Sequence, residues 1–80
     1  MILNKDKKIS VILPTYNEKG NIVPLVKEIH STLFEYDHEI IVVDDNSPDG
    51  TYQAVKDLKY KWVIALLRTK DILMIVNKIK

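Results

Sequence analysis

Residues 39–51, Glu-Ile-Ile-Val-Val-Asp-Asp-Asn-Ser-Pro-Asp-Gly-Thr, constrain the fold more than any other part of the chain. Ile40, Ile41, Val42 and Val43 are β-branched and follow one another without a polar break. Such a run suits a short strand buried on both faces, as in a parallel sheet. It stops at two carboxylates, Asp44 and Asp45. Ser47-Pro48 then reads as a helix start, with Ser47 as N-cap, Pro48 at the first helical position and Asp49 in the first turn. The stretch is therefore a strand, an acidic corner and a helix. In open α/β sheets ligands bind outside the carboxyl ends of the strands, which is where this corner lies.

The elements around it repeat the pattern. Ile9 to Leu13 reads as a first strand, ended by Pro14, and a polar loop follows, Pro14-Thr15-Tyr16-Asn17-Glu18-Lys19-Gly20. Asn21 can cap a helix whose face is Ile22, Leu25, Val26, Ile29 and Leu33, with Pro24 in its first turn. Glu39 to Asp44 is the second strand. Thr51, Ala54, Val55 and Leu58 mark a second helix, Lys59-Tyr60-Lys61 a turn, and Trp62 to Leu67 a third strand. Ile72, Ile75, Val76 and Ile79 mark one face of a third helix. The order β-α-β-α-β-α with short loops and right-handed crossovers gives an α/β fold with parallel strands in the order 3-2-1, one mononucleotide-binding half of a Rossmann-like sheet. Strand one is then left at an open, apolar edge, which predicts self-association.

Eighty residues suffice for one small domain with a modest core. There is no cysteine, hence no disulfide framework or thiolate metal site. Twelve basic and eleven acidic residues leave a net charge of +1 and no basic stripe, which argues against a nucleic-acid partner. The apolar start is too short for a signal peptide, and Arg68, Lys70 and Asp71 interrupt the apolar region 62–79. The expected location is cytoplasmic, at most peripheral to a membrane.

The glycine-rich turns that cradle phosphates, G-x-G-x-x-G and G-x-x-x-x-G-K-[ST], are both missing. The first loop offers instead an aromatic ring, Tyr16, able to stack on a base, and a carboxylate, Glu18, able to accept from ring N–H groups or ribose hydroxyls. A solvated loop with Tyr16 packed on its own helix is the plainer alternative. At the acidic corner, Asp45, Ser47, Asp49 and Gly50 match an EF-hand start, but Lys56 stands where its closing Glu is needed and a strand precedes the loop. A phosphorelay receiver would need a phosphoacceptor Asp on a later strand, and Trp62–Leu67 ends without one. An acidic capping corner with no ligand also stays open. His30 and His38 have no ligand spacing and read as surface residues.

The two motifs together, V-I-L-P-T-Y-N-E at 11–18 and I-I-V-V-D-D-N-S-P-D-G-T at 40–51, closely resemble family 2 glycosyltransferases of the GT-A fold. The resemblance covers residues 8–58, and the S-P-D-G-T continuation points to the polyprenyl-phosphate branch, of the dolichyl-phosphate mannosyltransferase type. It implies that Pro14, Tyr16 and Glu18 line a nucleotide-sugar pocket, that Val43 and Asp45 contact base and ribose, and that Asp44 braces the corner. It implies a nucleotide-sugar donor, GDP-mannose on that branch, and a polyprenyl phosphate acceptor at the cytosolic membrane face. The family also carries a D-x-D motif on a later strand that holds Mg²⁺ or Mn²⁺ against the diphosphate, and a divalent ion there neutralises the leaving group. No D-x-D occurs in these 80 residues. Arg68 stands where the family has a basic residue after its third strand, but the glycine-rich segment expected next is absent.

The expected organisation is thus a disordered lead-in at 1–7, the N-terminal half of a family 2 domain at 8–68, and a divergent helix at 69–80. That reads as a truncated, frame-shifted or fragmentary product. It would hold the base and ribose site, carry no cofactor of its own and be inactive alone. The competing reading is a non-catalytic α/β module that binds a nucleotide or a protein.

Overall fold

The computed structural model describes residues 7–69. The third helix, expected around Ile72 to Ile79, lies outside them, as does most of the lead-in. Five elements follow one another: β1 (Ile9–Thr15), α1 (Lys19–Thr32), β2 (His38–Asp44), α2 (Thr51–Lys56) and β3 (Val63–Leu67). The three strands form one parallel sheet in the order β1-β2-β3, with Val11 beside Ile40 and Ile40 beside Val63.

Both helices lie on the same face, as two successive right-handed crossovers require. The core there is Ile22 and Val26 of α1, Ile40 and Val42 of β2, and Val55 of α2, with Val11, Leu13, Val63 and Ala65 packed against it. Among the described residues no helix covers the other face. Ile12, Ile64 and Leu66 are 62%, 40% and 49% exposed, and Ile41 and Val43 between them are half-buried. The Ile40–Val43 run is therefore fully buried on one face only, among the described residues.

β1 runs through Pro14 instead of stopping at it. Ile9 N–H donates to the Asp37 carbonyl, and the Thr15 carbonyl accepts from Asp45 N–H, so odd-numbered residues of β1 bond to β2. By strict alternation Ser10, Ile12 and Pro14 face the open edge, where a missing N–H breaks no ladder bond.

Helix starts differ from the sequence reading as well. α1 begins at Lys19, because the Glu18 carbonyl accepts from both Asn21 and Ile22 N–H; Asn21 is inside the helix, its amide donating to the Glu18 carboxylate at 3.2 Å. Pro24 is thus interior, and its lost N–H falls opposite the exposed Gly20 carbonyl, which water can satisfy. α2 begins at Thr51, after Gly50 in the left-handed region (φ 88°), and not at Pro48. Nor are His30 and His38 free surface groups. The His30 ring stacks on Trp62 with centroids 3.7 Å apart, and His30 Nδ1 is 2.8 Å from His38 Nε2. His38 Nδ1 lies 2.7 Å from the Tyr36 carbonyl oxygen, which can only accept, so that nitrogen carries the proton. This cluster closes the amino end of the sheet, opposite the acidic corner.

Candidate functional site

The carboxyl ends of β1 and β2 bring the two sequence motifs side by side, with Thr15 in register with Asp44. The chain leaves each strand through an Asn in the left-handed region, Asn17 (φ 54°) after β1 and Asn46 (φ 58°) after β2. Asn tolerates that conformation better than other residues carrying a Cβ. Both turns are therefore tight, and they stay close together.

Strand alternation sends the two adjacent carboxylates in opposite directions. Asp44 is fully buried. Its Oδ1 accepts from Thr15 Oγ1 at 2.9 Å and from Ser47 Oγ at 2.6 Å, and its Oδ2 accepts from Ser47 N–H at 2.8 Å. Its own carbonyl accepts from Arg68 N–H, tying in the end of β3. Asp45 faces out, with its side chain 63% exposed, 3.8 Å from Arg68 Nε. An ion pair that open and that long contributes little to stability, so the Asp45 carboxylate is available to a ligand.

Asp45, Arg68, Tyr16, Pro14, Thr15 and Val43 line a cleft of about 240 Å³. That is below the roughly 300–1,000 Å³ of a complete small-molecule site, so it would hold part of a larger ligand. Its wall combines an aromatic ring, a carboxylate and a guanidinium, a set suited to stacking on a planar ring and accepting its N–H groups. Of the residues that the resemblance singled out, the cleft gathers Pro14, Tyr16, Val43 and Asp45. Glu18 is elsewhere, on an apolar groove of about 310 Å³ beside Leu13, Ile22 and Leu25. Asp44 stands behind the cleft. Thr15 and Arg68 belong to the lining too. Thr15 could have been found from Asp44, since a buried carboxylate needs a nearby donor; Arg68 was visible as a charge ending an apolar strand and, through the resemblance, as the basic residue after the third strand.

Asp49 completes the corner. Its pKa is lowered, chiefly by the hydrogen bond from the Thr51 hydroxyl and further by the Lys19 and Thr51 backbone N–H groups and the Lys19 charge. A depressed carboxylate pKa means that its stabilising contribution is present above the unfolded value, near 4, and lost as pH falls through the folded one.

Residues 10–72 match the family described as Glycosyl transferase family 2. The chain belongs to glycosyltransferase family 2. Among curated relatives, a dolichol-phosphate mannosyltransferase of Pyrococcus furiosus is 43% identical over 65 residues, 80% of this chain and 18% of that protein. A putative glycosyltransferase, CsbB, of Bacillus subtilis is 43% identical over 60 residues, 68% of this chain and 17% of that one. A UDP-N-acetylglucosamine–dolichyl-phosphate N-acetylglucosaminyltransferase of Methanococcus voltae is 43% identical over 54 residues, 68% of this chain and 20% of that protein. This family 2 chain spans a fifth or less of the length of these relatives. The α/β half-sheet expected from the sequence is the fold it has.

Among the described residues no three His, Cys, Asp or Glu side chains converge, and Asp45 is the one carboxylate on the cleft, so the residues present do not fit a resident divalent ion. Among them, too, no helix is long and apolar enough to cross a membrane.

Proposed function

We propose that the cleft at the ends of β1 and β2 is the base and ribose site for a nucleotide-sugar donor of a GT-A-type family 2 glycosyltransferase. The donor is GDP-mannose and the acceptor a polyprenyl phosphate at the cytosolic face of a membrane. The observation that carries this reading is the division of labour at Asp44-Asp45: one carboxylate is consumed in holding the corner, and its neighbour is exposed on a cleft beside an aromatic ring. The names of the relatives from Pyrococcus furiosus and Methanococcus voltae support the acceptor class, and the first supports the mannosyl donor.

In this reading Tyr16 stacks on the base, Asp45 accepts its N–H groups or a ribose hydroxyl, and Pro14 and Val43 form the apolar floor. The ion expected for the full-length family, Mg²⁺ or Mn²⁺, finds no ligand set in the cleft. Binding by these 80 residues is accordingly weak and nearly metal-independent, and they transfer no sugar by themselves.

Calorimetry with GDP and with UDP, each with and without Mn²⁺, tests the proposal. Asp45→Ala is expected to lose about 1.5–3 kcal/mol of binding free energy, the worth of a hydrogen bond to a charged group. No binding of either nucleotide, or a large gain on adding Mn²⁺, would overturn it. Mannose transfer from GDP-mannose to a polyprenyl phosphate by the purified chain would do the same for the claim of inactivity.

A further inference from the structure

None of residues 47–51, the S-P-D-G-T turn, lines the cleft, yet the polar side chains of the turn are all engaged. Asn17 N–H donates to Ser47 Oγ at 2.8 Å, Glu18 N–H to Thr51 Oγ1 at 3.0 Å, and Lys19 N–H to Asp49 Oδ2 at 3.1 Å. These are consecutive amides leading into α1, which has no side-chain cap from its own N-cap residue, Glu18. A helix start needs acceptors for such amides. Here they come from a turn some thirty residues later in the chain.

The acceptors are themselves held. Ser47 Oγ donates onward to Asp44, and Thr51 Oγ1 donates onward to Asp49, whose Oδ1 also accepts Thr51 N–H at 2.9 Å. Each hydroxyl thus accepts from the first loop and donates to a carboxylate of the second, which fixes its rotamer. Gly50, at φ 88°, lets the backbone bring Asp49 and Thr51 to the same side.

Tyr16 sits between two clamped neighbours. Thr15 is held to Asp44 through its hydroxyl, and Asn17 to Ser47 through its amide. Tyr16 itself is 55% exposed and lines the cleft.

We propose that Ser47, Asp49 and Thr51 are positioning residues that cap α1 across the chain and thereby set the place of Tyr16 opposite Asp45. The inference rests on the donor-site reading only for the consequence at the ligand; the cap itself is independent of it. It also assigns a role to the continuation S-P-D-G-T that the cleft leaves unexplained: the two motifs belong together because one supplies the hydrogen-bond acceptors the other lacks.

Thr51 gives the sharpest test, because its hydroxyl can be removed with little change of volume. In Thr51→Val, the Glu18 amide loses its acceptor. Hydrogen exchange of the Asn17, Glu18 and Lys19 amides is expected to accelerate, while the Ile40 and Val42 amides in mid-sheet change little. Affinity for GDP is expected to fall roughly three- to tenfold, because a Tyr16 no longer held in place must be ordered when the ligand binds. Thr51→Ser keeps the hydroxyl and is expected to restore both readouts, which a purely space-filling role for Thr51 would not allow. Asp49→Ala is the second variant, with faster exchange concentrated at Lys19. Unchanged exchange at residues 17–19 in Thr51→Val and Asp49→Ala overturns the cap. Faster exchange with unchanged GDP affinity overturns its link to Tyr16. If the wild-type chain binds no GDP, the donor-site reading fails and the exchange data alone decide the cap.

Discussion

Asp44→Ala is expected to lower the unfolding free energy by about 3 kcal/mol, because three donors lose a buried acceptor at once. The donors are the Thr15 hydroxyl, the Ser47 hydroxyl and the Ser47 N–H. A chain of 80 residues has a total stability of roughly 4–12 kcal/mol at ordinary values per residue, so this one change removes a large part of it. Asp45→Ala should stay within about 0.5 kcal/mol of wild type, since its carboxylate is exposed and weakly paired. Urea unfolding followed by circular dichroism separates the two. Asp44→Asn keeps an acceptor for the Thr15 and Ser47 hydroxyls but turns an NH₂ toward the Ser47 N–H, and should fall between wild type and alanine. Equal midpoints for Asp44→Ala and wild type would show that the corner is held by something other than this carboxylate. A larger stability loss in Asp45→Ala than in Asp44→Ala would mean that the two side chains have exchanged faces.

The different roles of these neighbours were implied in the sequence by the resemblance alone; strand alternation turns one carboxylate in and one out but does not say which. The strands and their order were legible in the residues themselves. Ile40 to Val43 could be little else than a central strand, and short loops with helical patterns between strands leave few topologies open. The element boundaries followed other rules. Ser47-Pro48 has the local chemistry of a helix start, but the Ser47 hydroxyl is occupied by Asn17 N–H and by Asp44, so the helix begins later, at Thr51. Pro14 reads as a strand end, and β1 passes through it because its nitrogen falls on the unpaired side. In both cases a partner distant in sequence decides, and no window around the residue contains it. Tyr16 was singled out in the sequence for its ring and Asp45 through the resemblance, and the two share one cleft. The separation of Glu18 from that cleft was not legible, because α1 starts close enough to β1 to carry that side chain to the neighbouring groove.

The purified 80-residue chain is expected to self-associate at tens of micromolar. The reason lies in β1, which among the described residues has no strand on its outer side and so offers the same edge to every other copy. Ser10 and Ile12 point their N–H and C=O groups away from β2, and Pro14 adds a carbonyl there but no N–H. An antiparallel pairing of two copies about Val11 would set Ser10 of one opposite Ile12 of the other, each pair exchanging N–H and C=O in both directions. Ile12 also stands with Ile64 and Leu66 on the face that no described element covers, so among the described residues it contributes both unpaired backbone and exposed apolar surface. A small core leaves little stability to resist opening of that edge. Ile12→Lys puts a charge at the point of contact, a common protection of natural edge strands, and should shift the chain toward monomer without lowering its urea midpoint, because Ile12 is exposed already. Light scattering of the two proteins at matched concentration is the measurement. A wild-type chain that is monodisperse and monomeric, with slow exchange at the Ser10 and Ile12 amides, would show that the edge is covered within the monomer.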